Sequence, residues 1–399
     1  MFHFSDAVND LRSSAIRDLM SVATHPDMIS FAGGMPDNEL FPLDEVREIY
    51  NHLSRGEQQA ALQYAPTSGY PPLIEELEKW LSKKGLPVST NRLIITTGSL
   101  QGINIFAKLF VNPHDVVLTE NPSFIGALSA FNSYMADIRG IPLDAEGIDI
   151  ESLKEALNLD PKMLYIMPTF HNPAGISYSE ERRRQLLTVM NATSVPILED
   201  DAYGDLVFDT AEGNHRHIPL KAMSDKEDQI CYSGSFSKIF GPGVRLGWML
   251  LSEELYRKAE LCKQAMDACS PTFTQVLAYQ FLATGKLESY VERVRKIYQQ
   301  RCDYMVDAVL RHFPAESSFV RPQGGFYLWV KLPQGIDEHQ LLKDSLAEGA
   351  VFVVGSTFDP LGNPNGYIRL SFSNTPEEKI EKGIRIIGDK LKALMKKSS

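Results

Sequence analysis

Ser233-Gly-Ser-Phe-Ser-Lys-Ile-Phe-Gly-Pro-Gly-Val-Arg-Leu-Gly247 places one lysine, Lys238, among small hydroxyl residues. A proline-glycine loop and an arginine, Arg245, follow it. Apolar runs flank it on both sides, Gln229-Ile-Cys-Tyr before and Leu246-Gly-Trp-Met-Leu-Leu after. The stretch therefore reads as strand, polar loop, strand. A lysine at a strand end can hold an aldehyde as a Schiff base. Neighbouring serines and a guanidinium can hold a phosphate dianion on the same molecule. Taken alone, the stretch also fits a surface loop with two ordinary cations. Nucleotide motifs fit poorly: the glycines after Lys238 lack the G-x-G-x-x-G spacing, and Gly234-Ser-Phe-Ser-Lys is too short for a P-loop.

Outward from this stretch, size and composition set the bounds. The chain has 399 residues, which favours two domains over one core. Its formal net charge of −11 argues against a nucleic-acid surface. Cys231, Cys262, Cys269 and Cys302 form no C-x-x-C pair and no metal spacing, so reduced thiols in the cytoplasm are expected. His215 and His217 flank Arg216 without nearby companions, and no metal site is expected there. No signal peptide or membrane-length apolar run is evident.

Strand-like and helix-like segments alternate through the middle of the chain. Strands are expected at Arg92–Thr97, Asp115–Thr119, Lys162–Met167, Val195–Glu199 and Ile230–Ser233, separated by helices at Leu100–Phe110, Ile125–Met135 and Ser179–Asn191. This order implies an α/β domain with a mostly parallel sheet, its site at the carboxyl ends of the strands. Long helices are expected from about Glu253 to Phe313. Short strands then return at Phe326–Lys331 and Tyr367–Phe372, before a final helix, which reads as a smaller α+β domain. The expected division is an N-terminal arm with part of the small domain over 1–45, a large domain over 46–290 and a C-terminal small domain over 291–399.

Each expected strand ends in polar residues. Gly98-Ser-Leu-Gln101 enters a helix, where free N–H groups can hold an anion, although it also fits an ordinary turn. Phe124 can stack on a flat ring or fill core. Asn172 offers an amide or an Asn-Pro turn. Glu199, Asp200 and Asp201 end an apolar strand, where carboxylates are costly without a cationic partner. Together with Lys238 these residues supply a stacking ring, an amide, a carboxylate, a phenol at Tyr203, an amine and an anion cradle. That set matches pyridoxal 5′-phosphate, whose ring nitrogen needs a carboxylate, whose aldehyde needs a lysine and whose phosphate needs hydroxyls, N–H groups and arginine.

The ordered set Gly33-Gly34, Tyr64 to Gly69, Gly98-Ser-Leu-Gln, Asn172-Pro-Ala-Gly, Asp200-Asp-Ala-Tyr203, Ser235-Phe-Ser-Lys238, Arg245 and Arg369 resembles the class I/II aminotransferases of fold-type I. Ser13-Ser-Ala-Ile-Arg-Asp-Leu and Ser30-Phe-Ala-Gly-Gly-Met-Pro-Asp-Asn-Glu-Leu-Phe-Pro are similar to the branch of 2-aminoadipate and kynurenine aminotransferases. The resemblance implies a seven-stranded, mostly parallel sheet flanked by helices. It also implies that Lys238 binds the cofactor aldehyde and shuttles the proton, that Asp200 pairs with the pyridinium nitrogen, and that Asn172 and Tyr203 bond the 3-oxygen. Ser99, Gln101, Ser235, Ser237 and Arg245 are implied to bind the phosphate, with Leu100 also at the cofactor and Phe124 stacked on its ring. Phenylalanine departs here from the tyrosine usual in this branch. Arg369 is implied to grip the substrate carboxylate, with Asn172, Gly34, Ser14 and Arg17 also at the substrate. Arg17 would turn toward acidic side chains and away from apolar ones. Tyr64 is implied to reach the cofactor of a second subunit, giving a homodimer.

The expected reaction is ping-pong transamination of an aromatic, branched or 2-aminoadipate donor, with 2-oxoglutarate as acceptor and pyridoxamine phosphate carrying the amino group. A C–S β-lyase would use nearly the same residues. The effector domain of a transcription regulator shares the fold, but the chain begins at the arm and no DNA-binding domain is expected.

Overall fold

Residues 2–9, 19, 27–209 and 217–398 are described by the computed structural model of the chain. In chain order the strands are β1 (Ile29–Ser30), β2 (Asn91–Thr96), β3 (Val116–Asn121), β4 (Asp137–Asp144), β5 (Gly147–Ile148), β6 (Met163–Ile166) and β7 (Ile197–Asp201). They continue as β8 (Ile230–Ser235), β9 (Gly247–Ser252), β10 (Ser318–Phe319), β11 (Tyr327–Lys331), β12 (Ala350–Val351), β13 (Val353–Val354) and β14 (Tyr367–Ser371).

One sheet of eight strands runs β2-β9-β8-β7-β6-β3-β4-β5. Neighbours from β8 through β7, β6 and β3 to β4 are parallel, while β9 is antiparallel to both β2 and β8. Every residue of β8 and β9 is buried. Helices cover both faces of such a sheet, so its central strands read as continuous apolar runs. Seven full strands match the expected number, and the two-residue β5 adds an eighth by turning back on β4. β4 is not among the strands expected from the sequence, because Asp137-Ile-Arg-Gly-Ile-Pro-Leu-Asp is partly polar and carries a proline. That composition suits a strand near a sheet edge.

The helices follow from their apolar periodicity. In the Lys286–His312 helix, Leu287, Tyr290, Val291, Val294, Tyr298, Cys302, Met305, Val306 and Val309 are buried, at spacings of three and four. The Arg55–Ala61 helix opens on a capping box between Ser54 and Glu57.

A second sheet, β10-β11-β14-β13, is antiparallel throughout. Beside it β1 pairs in parallel with β12. The backbone of Phe31 bridges β12 and β14: its N–H donates to Val351 O at 2.8 Å and its O accepts from Ser371 N at 2.9 Å. This pairing carries Gly34 from the arm to the mouth of the large sheet.

Candidate active site

The site is built where β6, β7 and β8 end and the arm and β14 approach them. At the end of β7, side chains alternate between the two faces of the sheet. Glu199 accepts backbone N–H bonds from Leu220 at 2.7 Å and Lys221 at 3.0 Å. Asp201 accepts from the Tyr232 hydroxyl at 2.6 Å and from Gly204 N at 2.8 Å. Asp200, on the opposite face, accepts from the Tyr165 hydroxyl at 2.8 Å through Oδ2. The cationic partners expected for this run are thus replaced at hydrogen-bond range by phenols and amides. Burial pushes the carboxyls of Glu199 and Asp200 up to about 7. For Asp200 the Tyr165 bond opposes burial, while Asp201 and Glu120 add to it. Asp200 Oδ1 is buried and bonds nothing among the described residues.

Lys238 follows β8 and turns back toward the arm. Its Nζ donates to Gly34 O at 2.8 Å and lies 5.7 Å from the ring centres of both Tyr203 and Phe326. Burial, then Arg369, then Arg245 bring its pKa down to about 8. An amine of that pKa is partly neutral near physiological pH and can accept a proton.

Arg369, in β14, is 2% exposed. Its Nη1 donates to Asn172 Oδ1 at 2.9 Å and its Nη2 to Ala32 O at 2.6 Å. The guanidinium lies 4.4 Å from the Tyr327 ring and 4.8 Å from the Phe358 ring. No carboxylate pairs with it among the described residues, and its Nε has no partner. Tyr203 is buried, and its hydroxyl shares a 3.0 Å bond with that of Tyr327.

An anion cradle forms where β2 enters the Ser99–Phe110 helix. Gly98 caps that helix at φ 79° without a side-chain bond, so the leading N–H groups are uncapped. A Cβ at Gly98 would lie 2.7 Å from Arg245 Nη2, and one at Gly247 would lie 2.8 Å from Ser99 N. The positive φ at Gly98 and the backbone approach at Gly247 call for glycine at both positions. Ser235 Oγ accepts from Ser237 N at 3.1 Å beside the same loop.

Residues 26–387 match the aminotransferase class I and II family. The chain belongs to the class I/II aminotransferases. It is 35% identical over 402 residues to aromatic-amino-acid aminotransferase 1 of Thermococcus litoralis, covering 99% of this chain and 95% of that protein. Its fold is similar to the kynurenine aminotransferase of Pyrococcus horikoshii, with TM-score 0.93, 36% identity and coverage of 98% and 97% of the two chains. It is also similar to the α-aminoadipate aminotransferase of Thermus thermophilus complexed with N-(5′-phosphopyridoxyl)-L-leucine, with TM-score 0.89, 33% identity and coverage of 98% of each chain.

The cofactor of this aminotransferase is pyridoxal phosphate, and the residues present fit it. The buried Oδ1 of Asp200, unpartnered among the described residues, offers an acceptor for a donor such as a pyridinium N–H. Lys238 would hold the aldehyde end. The helix opening at Ser99, with Ser235, Ser237 and Arg245, would hold the phosphate.

The structure brings Lys238, Asp200, Tyr203, Asn172, Gly34 and Arg369 into one connected site. Other expected residues stand differently. Gln101 turns its side chain away from the cradle: Oε1 accepts from Thr97 N at 2.8 Å and Nε2 donates to Asp267 at 2.7 Å. Leu100 is 43% exposed, and Tyr64 is 84% exposed and makes no contact with this chain's Lys238 among those described. The Phe124 ring folds over Gly126, where a Cβ would lie 2.5 Å from it. Ser14 and Arg17 lie outside the described residues. Tyr165 and Tyr327 were missed because each reads as one more apolar position in a strand. The Gly324-Gly-Phe-Tyr327 run, with two glycines ahead of a phenol, was the available signal for the second.

Proposed function

We propose that this aminotransferase moves the α-amino group of an L-amino acid to 2-oxoglutarate in two half-reactions at one site, the first product leaving before the acceptor enters. Aromatic, branched-aliphatic and 2-aminoadipate donors are the proposed substrates, a reading supported by the substrates named for its relatives. The observation that carries it is Arg369: a buried guanidinium that, among the described residues, has an unpartnered Nε and no carboxylate partner, and that lies close enough to Lys238 to help lower its pKa. A bidentate cation left in that condition fits an incoming α-carboxylate.

Pyridoxal phosphate, when bound, supplies an aldehyde for the amino group and a ring that accepts electrons from Cα. Arg369 and Asn172 orient the substrate by its carboxylate. Lys238, brought down to about 8, takes the proton from Cα and returns it on the cofactor side. Asp200 would keep the ring nitrogen protonated through the oxygen that Tyr165 leaves unbonded. Tyr203, whose hydroxyl is bonded to that of Tyr327, would offer that hydroxyl to the ring's 3-oxygen. We further propose a homodimer that works in the cytoplasm. Exposed apolar side chains near Tyr64 and four free cysteines support this reading. Among the described residues no helix is long and apolar enough to cross a membrane.

The test is Arg369→Ala. Removing one partner of a buried charge pair costs about 2–5 kcal/mol, or roughly thirty- to several-thousand-fold in kcat/KM. Phenylalanine, leucine, 2-aminoadipate and glutamate should all lose at least that lower factor, with the cofactor still bound. A loss confined to acidic substrates would assign Arg369 to the side chain. Pyruvate and ammonia from a substrate with a β leaving group, without amino transfer, would make the wild-type protein a lyase.

A further inference from the structure

Behind the anion cradle lies a buried polar cluster with no part in the chemistry above. Lys263, in the Glu253–Asp267 helix, is 0% exposed. Its Nζ donates to Asp267 Oδ1 at 2.8 Å and Oδ2 at 3.0 Å, to Ser270 Oγ at 2.9 Å and to Gln101 Oε1 at 3.2 Å. Asp267 Oδ2 also accepts from Thr97 Oγ1 at 2.8 Å and from Gln101 Nε2 at 2.7 Å. Gln101 Oε1 closes the circuit by accepting from Thr97 N. The cluster therefore grips residues 97 and 101, the two ends of the turn that opens the cradle.

Its local setting is costly. Asp267 is the last residue of its helix, where a negative charge opposes the helix dipole. Ala268 follows at φ 60°, a region strained for any residue but glycine. A carboxylate behind an anion site would also repel a phosphate unless its charge were cancelled. Lys263 cancels it at contact distance. Burial pulls the lysine's pKa down while Asp267 opposes that shift. Despite its own burial, Asp267 is held below the usual carboxylate range by Lys263, Gln101 and Thr97. A cluster serving only stability could be replaced by apolar side chains at little cost. This one instead spends its hydrogen bonds on the turn.

We propose that Lys263 and Asp267 are positioning residues for the cofactor phosphate: through Thr97 and Gln101 they hold the Gly98–Leu100 turn so that its N–H groups and Arg245 converge on one anion. The proposal rests on the reading that the phosphate sits at this turn. It accounts for the orientation of Gln101, which acts from behind the cradle through its side chain.

The test compares two aldehydes that differ only in the phosphate. Cofactor-free protein is titrated with pyridoxal phosphate and with pyridoxal, and binding is followed by absorbance. Lys263→Met and Thr97→Val should each weaken pyridoxal phosphate by about ten-fold or more, while pyridoxal changes by less than about two-fold. Equal weakening of both aldehydes, or no weakening of either, overturns the proposal. Thr97→Val removes one hydroxyl at nearly constant volume, so its result decides the matter if Lys263→Met does not fold. A wild-type protein that binds both aldehydes alike would overturn the placement of the phosphate itself, and the proposal with it.

Discussion

Asp200 accepts a bond from Tyr165 on one oxygen and, among the described residues, none on the other, and its carboxyl is pushed up to about 7, mainly by burial. Its unfolded value is about 3.9. The folded, cofactor-free chain therefore keeps a proton that the unfolded chain loses between those values. Stability falls as pH rises across roughly 4 to 7, and the full cost is present above that range. Asp200→Asn removes this cost and keeps an acceptor for Tyr165. Relative to wild type, the cofactor-free variant should gain thermal stability as pH is raised from 5 to 8. A constant or shrinking difference would mean that the charge is already satisfied in the empty site. Glu199 titrates in the same window in both proteins, so the comparison isolates Asp200. The same free oxygen is the one that a pyridinium would engage, and with the cofactor bound the order should reverse.

Among the elements, the contact between the arm and β11 is the tightest in the site. A Cβ at Gly34 would lie 1.9 Å from the Tyr327 hydroxyl, and Gly34 O is the acceptor for Lys238. Gly34→Ala should therefore displace either Tyr327 or the lysine and lower kcat by roughly ten-fold or more, about 1.4 kcal/mol per decade. Tyr327→Phe removes the clashing atom, so the double variant should recover part of that loss in a mutant cycle. Strict additivity would show that the two residues do not meet. Little of this contact was legible in the sequence. Apolar runs announced β8 and β9 because both faces of a central strand are buried, and Lys238 stood out as a charge between them. A close approach between residues 34 and 327 leaves no mark except a glycine. Apart from the local Gly204 N–H, the neutral donors for Glu199 and Asp201 come from Leu220, Lys221 and Tyr232, and no local pattern links those positions. Gln101 looked like a ligand because its neighbours did, but its side chain is claimed by Asp267, 166 residues away.

For the molecule as a whole, the reacting groups come from the arm, from the ends of β7 and β8, from the Asn172 loop and from β14. A site drawn from both sheets is complete only when they are docked. Leu62 and Tyr64 are 86% and 84% exposed, and Tyr50, 52% exposed, has its ring 6.1 Å from that of Phe273. An apolar surface of this kind fits an interface between copies of the chain. Sedimentation equilibrium should give twice the chain mass. Tyr64→Ala should weaken pyridoxal phosphate binding, provided that the dimer persists in the variant. A monomer with full cofactor affinity would contradict the shared site. Lys238, which faces Gly34 and lies near Arg369, is the residue proposed to bond the cofactor. Borohydride reduction of the loaded protein followed by peptide mass analysis tests it most directly. A phosphopyridoxyl group should be found on Lys238, and its appearance on any other lysine instead would overturn that assignment.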